Sequence, residues 1–313
     1  MTGIVQLLLL FAPIFALIAL GAVLRRVGWL TPEADSSLLR LGVNLFFPAL
    51  IFSSVVGNAA LHEARNLLWP PLLGFAFVVI GWLASWATGR GIGLERGRGL
   101  RTFAFTTGFP NYAYMAIPLV SALFSPAALG VLFVFNVGVE FAIWTVGILL
   151  LAGGSLREGW RKLLSPPVLA LLAAVALNLL RFDPPGAVRQ AVGSLGACAV
   201  PLGLLLIGAF LEEHLHDPRA LFDLRVTLAS SALRLGLLPL ALLAAARFLP
   251  VSTELRQVAV VQAAMPAGVF TIVLAKHYGG QPLTATQVVL ATTALSLVAT
   301  PLWLQFGLRW LGV

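Results

Sequence analysis

The chain has 313 residues, of which 59% are hydrophobic and 10% charged, and its mean hydropathy is +0.97. Because a soluble domain carries about 25% charged residues, this composition excludes an ordinary soluble protein and indicates a membrane protein. The net charge of +8 comes from arginines scattered through short loops, a pattern typical of loop anchoring and not of a nucleic-acid-binding surface. The single cysteine, Cys198, excludes a disulfide framework and a cysteine metal cluster within one chain.

Apolar segments bounded by charges or turn residues predict ten membrane-spanning helices. The first ends in two arginines without a convincing cleavage site, so we expect a retained helix and not a cleaved signal peptide. The sixth is the shortest and begins with two prolines. The predicted helices cover residues of about 3–24, 36–57, 67–88, 102–124, 126–152, 165–181, 190–211, 224–247, 255–276 and 284–308.

Lysine and arginine are unevenly distributed between alternate loops of this ten-helix arrangement. Twelve lie in the loops of one side and six in the loops of the other, with two more inside helices. Because cytoplasmic loops are enriched in these residues, the bias predicts that both ends of the chain face outward.

Prolines recur at similar spacings in corresponding predicted helices, which indicates an internal repeat. Because each half holds an odd number of helices, the second half, 153–313, would enter the membrane from the side opposite to the first, 1–152. The sequence therefore predicts an all-α membrane protein, a single transmembrane domain of two inverted five-helix repeats, an architecture common in secondary transporters. The proline pairs are separated by 153, 153 and 156 residues and are Pro13–Pro166, Pro48–Pro201 and Pro110–Pro266.

Predicted helices 4 and 9 are each interrupted in the middle by a proline beside glycine or a small polar residue. Proline opens a helix and frees backbone polar groups, which at mid-membrane depth must be buried or line a cavity. The two helices run in opposite directions, so their breaks can meet as an antiparallel crossing where half-helix N-termini attract an anion. We predict a substrate site there and not two packing kinks, formed by Gly108, Pro110, Asn111, Tyr112, Met265, Pro266 and Gly268.

Further polar side chains lie inside the predicted helices. Asn44 and Gln262 each stand four residues before a proline and would point toward a break. Glu140, one turn after Asn136, is either a coupling site for H⁺ or Na⁺ or a hydrogen-bonded packing residue. Arg234 would balance an anionic substrate, pair with Glu140, or extend to the cytoplasmic surface.

Other classes of membrane protein find less support in the sequence. A prenyl-transfer enzyme needs paired carboxylates for Mg²⁺, and a zinc protease needs an HExxH motif; neither pattern is present. A cation/proton antiporter on a related fold would carry adjacent aspartates near the crossing, whereas no predicted helix core contains aspartate. A receptor built on a transporter-like bundle is a further alternative that the sequence does not exclude. No enzyme activity, cofactor or resident metal is predicted.

Three stretches resemble the auxin efflux carrier family, which includes bacterial permeases and plant PIN-type auxin exporters. They are VNLFFPALIFSSVV in helix 2, PNYAYMAIPL in helix 4 and QAAMPAGVFTIVLAKHYG in helix 9. Asn111 matches an asparagine that the family carries at the helix-4 break. Pro110 departs from the family pattern, because relatives often have a small residue immediately before that asparagine. PIN-type exporters also have a long cytoplasmic loop after helix 5, where this chain has only residues 153–164.

The resemblance implies the bile-acid symporter type of fold, related to that of sodium–proton antiporters. Helices of about 3–57 and 165–211 would form a scaffold and homodimer platform. Helices of about 67–152 and 224–308 would form a transport domain that moves as an elevator, with substrate at the crossing. The implied function is a secondary transporter of the inner or plasma membrane that moves a small organic anion, such as a carboxylate or auxin-like acid.

Overall fold

The computed structural model describes residues 4–152, 164–214 and 223–313, and every regular element in this part of the chain is helical. We label the helices α1 to α10, with α4 and α9 each in two halves. Their bounds are Ile4–Arg26 for α1, Pro32–Val55 for α2, Ala64–Gly91 for α3, Leu100–Gly108 for α4a, Ala116–Leu123 for α4b, Pro126–Leu151 for α5, Pro166–Leu179 for α6, Gly186–Glu213 for α7, Leu224–Phe248 for α8, Thr253–Ala264 for α9a, Phe270–His277 for α9b and Pro282–Leu311 for α10.

Seven of the described helices are long and apolar enough to cross a membrane: α1, α2, α3, α5, α7, α8 and α10. The prediction of a multi-pass, all-helical membrane protein is therefore confirmed. The other described helices are α6, which has 14 residues, and the interrupted helices α4 and α9. Almost the whole connection between the two predicted halves, residues 153–163, lies outside the described residues.

Several helix ends follow directly from residue type. Pro32, Pro126, Pro166 and Pro282 stand in the first turn of their helices, where the missing N–H costs nothing and the fixed φ suits the helix. The two prolines at the start of the sixth predicted helix therefore lie in the first turn of α6. At the other end of the chain, Gly312 ends α10 with a φ of 68°, a conformation that glycine adopts without steric cost.

The helices pack in pairs that correspond between the two halves of the chain. Helix α1 packs on α7, and α2 packs on α6. Helix α3 packs on α4a and α5, while α8 packs on α9a and α10. Between the halves, α4a contacts α10 and α9a contacts α5. If helices α1 to α5 exchange their numbers with helices α6 to α10, each of these helix–helix contacts becomes another contact of the same set.

Three long helices, α2, α5 and α8, each contain one π-helical turn. The turns are Gly42–Phe46 in α2, Ile143–Gly147 in α5 and Leu233–Leu237 in α8. A π turn inserts one extra residue, shifts the helix face that follows and often marks a functional site. Here the three turns contain Asn44, Trp144 and Arg234.

Glycines allow α3 and α5 to approach closely beside two of the predicted site residues. A Cβ atom on Gly138, which lies between Asn136 and Glu140, would be 1.9 Å from the carbonyl oxygen of Pro71. A Cβ on Gly74 would be 2.4 Å from the carbonyl oxygen of Phe135. The absence of side chains at these two positions therefore fixes how deeply α5 sits against α3.

Gly138→Val is expected to destabilise the fold, because its side chain would collide with backbone that cannot move independently of α3. Overpacking of this kind costs about 1–3 kcal/mol, and the expected result is a lower thermal unfolding midpoint in detergent. Gly193→Val is the matched control, since Gly193 is also inside a long helix but a Cβ atom added to it would have no neighbour within 4 Å. Equal midpoints for the two variants would contradict the assigned role of Gly138.

Candidate functional site

The two helix breaks meet in the structure as a short antiparallel crossing. The Asn111 N–H donates to the Pro266 carbonyl at 2.8 Å, and the Gly268 N–H donates to the Phe109 carbonyl at 2.9 Å. These two bonds form a β-bridge between Pro110 and Ala267. Each break is thus satisfied in part by the backbone of the other, since backbone groups at mid-membrane depth need partners within the protein.

The crossing depends on glycine at two positions. A Cβ on Gly268 would lie 2.6 Å from the Phe109 ring and 2.9 Å from the Pro110 carbonyl oxygen. A Cβ on Gly108 would lie 2.7 Å from the backbone of Gly81 in α3. Gly268 therefore allows the two breaks to approach each other closely, and Gly108 allows α4a to approach α3. This packing explains why glycine stands beside each break.

A cavity of about 180 Å³ lies beside the crossing. One wall comes from the two breaks and α5, and the other comes from α2 and the start of α6. Among its lining residues, Glu140 is the single carboxylate and none is lysine, arginine or histidine. The lining residues with a polar side-chain group are Asn111, Tyr112, Tyr114, Asn136, Glu140, Trp144 and Ser165.

A hydrogen-bond network joins Glu140 to the crossing. The Tyr112 hydroxyl donates to one carboxylate oxygen of Glu140, and the Trp144 indole N–H donates to the other at 2.7 Å. The Gln262 side-chain amide donates to the Tyr112 carbonyl at 2.9 Å and to Asn136 Oδ1 at 3.2 Å. Helices α4, α5 and α9a therefore meet at one continuous polar network at the edge of the cavity.

The half-helices differ in what they present to the cavity. Gly268, Val269 and Phe270, at the start of α9b, line it, so the first N–H groups of that helix and their partial positive charge lie at the cavity wall. Helix α4b begins at Ala116 after a turn of residues 112–115. The Ile117 N–H donates to the Ala113 carbonyl at 2.9 Å, and Ala113 lines the cavity, so the meeting of both half-helix N-termini at one point stays a prediction.

Arg234 lies behind the crossing and has no exposed surface. Its Nε donates to the Met265 carbonyl at 2.9 Å, and its guanidinium covers the Phe77 ring at 5.1 Å from the centroid. The interpretation that Arg234 extends to the cytoplasmic surface is therefore wrong. None of the ion pairs among the described residues joins it to Glu140.

The predicted site residues fall into three groups. Pro110, Asn111, Tyr112, Asn136, Glu140 and Gly268 line the cavity, while Gly108, Gln262, Met265, Pro266 and Arg234 are buried around the crossing. Asn44 is exposed and does not line the cavity. Its neighbour Val43 and the later Phe47 take the cavity face of α2. Asn44 lies in the π turn Gly42–Phe46, which shifts the helix face, and its side chain is turned away from the cavity.

Sequence reasoning missed part of the cavity wall. Trp144 follows Glu140 by one helical turn, and this spacing was a usable signal because side chains at i and i+4 share a face. Tyr114 packs edge-on against Phe47, with ring centroids 5.2 Å apart. The contribution of Ser165 and of the first turns of α6, to Leu171, was not predicted, since the lining residues of α6 itself are apolar.

Apolar helices of membrane length surround two crossed helix breaks with a cavity at the crossing, an arrangement typical of membrane transporters. The model of the family described as "Membrane transport protein" matches residues 7–159 and 155–304. The chain therefore belongs to this family, and its resemblance to the auxin efflux carrier permeases is confirmed.

Two relatives match the chain over nearly its whole length. An "Uncharacterized transporter" of Methanothermobacter thermautotrophicus is 29% identical over 303 residues, which cover 93% of this chain and 95% of the relative. A "Putative malonate transporter" of Rhizobium meliloti is 28% identical over an alignment of 323 positions, which covers 96% of this chain and 95% of the relative. The family and the names of the relatives indicate a membrane transport protein and not an enzyme.

Proposed function

We propose that the protein is a secondary transporter that moves a small organic anion, such as a carboxylate, across the inner or plasma membrane. The observation that carries this proposal is the crossing of Phe109–Asn111 with Pro266–Gly268 beside a cavity. The Asn111 side chain and the first turn of α9b supply donors to an anion at that wall. The name of the Rhizobium meliloti relative agrees with a carboxylate substrate.

The proposed architecture is ten membrane crossings in two inverted repeats. The paired helix contacts support it, because exchanging the two halves of the chain reproduces them. We propose elevator-type alternating access, since the cavity lies where α2 and α6, of the predicted scaffold, face α4, α5 and α9, of the predicted transport domain. We also propose that two copies of the chain associate through the scaffold helices as a homodimer. Both ends of the chain would face outward.

Glu140 is the proposed coupling site, with H⁺ as the coupling ion. An ionised Glu140 would repel an anionic substrate in the same cavity, which holds no basic side chain in its described lining. A proton on Glu140 removes this repulsion when the substrate binds. Tyr112 and Trp144 donate to the carboxylate, and they would stabilise its ionised form after proton and substrate have left together.

The test is uptake by purified protein in liposomes with a panel of radiolabelled carboxylates, including malonate and auxin-like acids, with and without a pH gradient. We expect uptake of at least one carboxylate above that of protein-free liposomes, and stimulation when the substrate side is acidic. Proton–cation exchange without carboxylate uptake would overturn the proposal and favour a cation/proton antiporter. Carboxylate binding without any uptake would favour a receptor.

A further inference from the structure

Arg234 is a fully buried arginine that has no ion-pair partner among the described residues. It lies in the π turn of α8. Its Nη1 atom is buried without a hydrogen-bond partner in the described part of the chain. A buried charge is costly unless its surroundings compensate for it, so the groups around the guanidinium identify its role.

Those groups are carbonyl oxygens at the C-terminal end of α9a. The Met265 carbonyl accepts from Arg234 Nε at 2.9 Å, and the Gln262 carbonyl lies 3.5 Å from Nη2. The last carbonyls of a helix lack intrahelical partners and carry partial negative charge. In transporters built from inverted repeats, such half-helix ends and unwound carbonyls coordinate a coupling cation.

The shape of the guanidinium suits its position beside the carbonyls at the end of α9a. This group is planar and permanently charged, with several donors for carbonyl oxygens. Phe77 covers one of its faces at 5.1 Å and contributes a cation–π interaction. The Ala264 carbonyl, also at the end of α9a, accepts from the Thr300 hydroxyl at 2.8 Å. Three carbonyls at this helix end, those of Gln262, Ala264 and Met265, are therefore bound by side chains of the protein.

We propose that Arg234 is a resident cation that takes the place of a bound Na⁺ at the end of α9a. It thereby acts as a positioning residue for the cavity. The Gln262 backbone contacts Arg234, while the Gln262 side chain holds the Tyr112 carbonyl and Asn136 on the cavity side. The tests of this proposal that measure uptake depend on the proposed transport function, whereas those that measure the thermal unfolding midpoint do not.

The first test uses the wild-type protein and separates this proposal from the transport function. In detergent without substrate, exchanging Na⁺ for choline at constant ionic strength is expected to leave the thermal unfolding midpoint unchanged. In liposomes, the same exchange is expected to leave carboxylate uptake unchanged. Stabilisation specific to Na⁺ would overturn the resident-cation proposal whether or not a transported carboxylate has been found.

The second test removes the guanidinium and adds it back. Arg234→Ala is expected to lower uptake by roughly tenfold or more, because the carbonyls and Gln262 lose their partner. Millimolar guanidinium chloride is expected to restore part of the uptake and to raise the unfolding midpoint of this variant. Arg247→Ala is the matched control, since Arg247 is exposed on the same helix, and guanidinium should change neither quantity for it.

Arg234→Lys keeps the positive charge and guards against a variant that does not fold. It is expected to fold and to remain indifferent to Na⁺, with uptake between those of wild type and Arg234→Ala. An Arg234→Ala protein that transports like wild type, or that gains neither activity nor stability from guanidinium, would contradict the proposal. If neither variant folds, the wild-type Na⁺ measurement still decides it.

Discussion

Asn111→Ala is expected to reduce carboxylate uptake by roughly ten- to hundredfold while the protein remains folded. Losing one hydrogen bond to a charged group costs about 1.5–3 kcal/mol, which corresponds to that range. The fold should survive because the crossing uses the main-chain N–H of Asn111, and alanine keeps this bond to the Pro266 carbonyl. The measurement is initial uptake in liposomes, with the unfolding midpoint in detergent as the check on folding.

Asn44→Ala provides a sharp control for this experiment. Both asparagines lie near a helix proline, yet Asn44 is exposed and away from the cavity whereas Asn111 lines it. We expect Asn44→Ala to transport like wild type. Unchanged uptake in Asn111→Ala would mean that the α4 break is a packing kink, and a loss confined to Asn44→Ala would place the substrate elsewhere.

Glu140→Gln is expected to abolish the stimulation of uptake by a pH gradient. Glutamine has nearly the same shape as a protonated glutamate and can accept from Tyr112 or Trp144, but it cannot release a proton. The substrate should therefore still bind, and exchange of labelled for unlabelled substrate across the membrane should persist. Net uptake driven by the gradient should fall to the level measured without one.

The control for Glu140 is Glu63→Gln, which changes an exposed carboxylate paired with Arg65 outside the cavity. It should respond to the gradient like wild type. A Glu140→Gln protein that keeps the full response would remove Glu140 from the coupling mechanism. Loss of exchange as well as net uptake would show that Glu140 is needed for substrate binding or packing, not specifically for proton transfer.

The crossing was predictable from the sequence because proline and glycine act locally. Pro110 and Pro266 cannot donate an N–H, and Gly268 permits backbone contact between the breaks. Proline alone does not mark a break, since Pro13 and Pro301 lie inside continuous helices; the pair of interruptions in corresponding helices was the informative signal. The bridge between Pro110 and Ala267 is then the way in which two opened helices satisfy each other.

The direction of individual side chains was less predictable, because it depends on the π turns. A single extra residue in a helix shifts the face of everything after it, and apolar sequences give no sign of where this residue lies. Asn44 and Arg234 both lie in such turns, and the expectation that Asn44 points toward a break, based on its spacing from Pro48, did not allow for the π turn. The contacts of Arg234 with α9a are also long-range in sequence, so no local pattern specifies them.

The crossing also has a consequence for how this fold acquires new specificities. Its two inter-break bonds, from the Asn111 N–H and the Gly268 N–H, use main-chain atoms alone. The side chain of residue 111 is therefore not needed to hold the helices together at that point, whereas the Tyr112 side chain is tied to Glu140. A library that randomises position 111 alone should retain the crossing while changing which anions are accepted, so recognition can diversify independently of architecture.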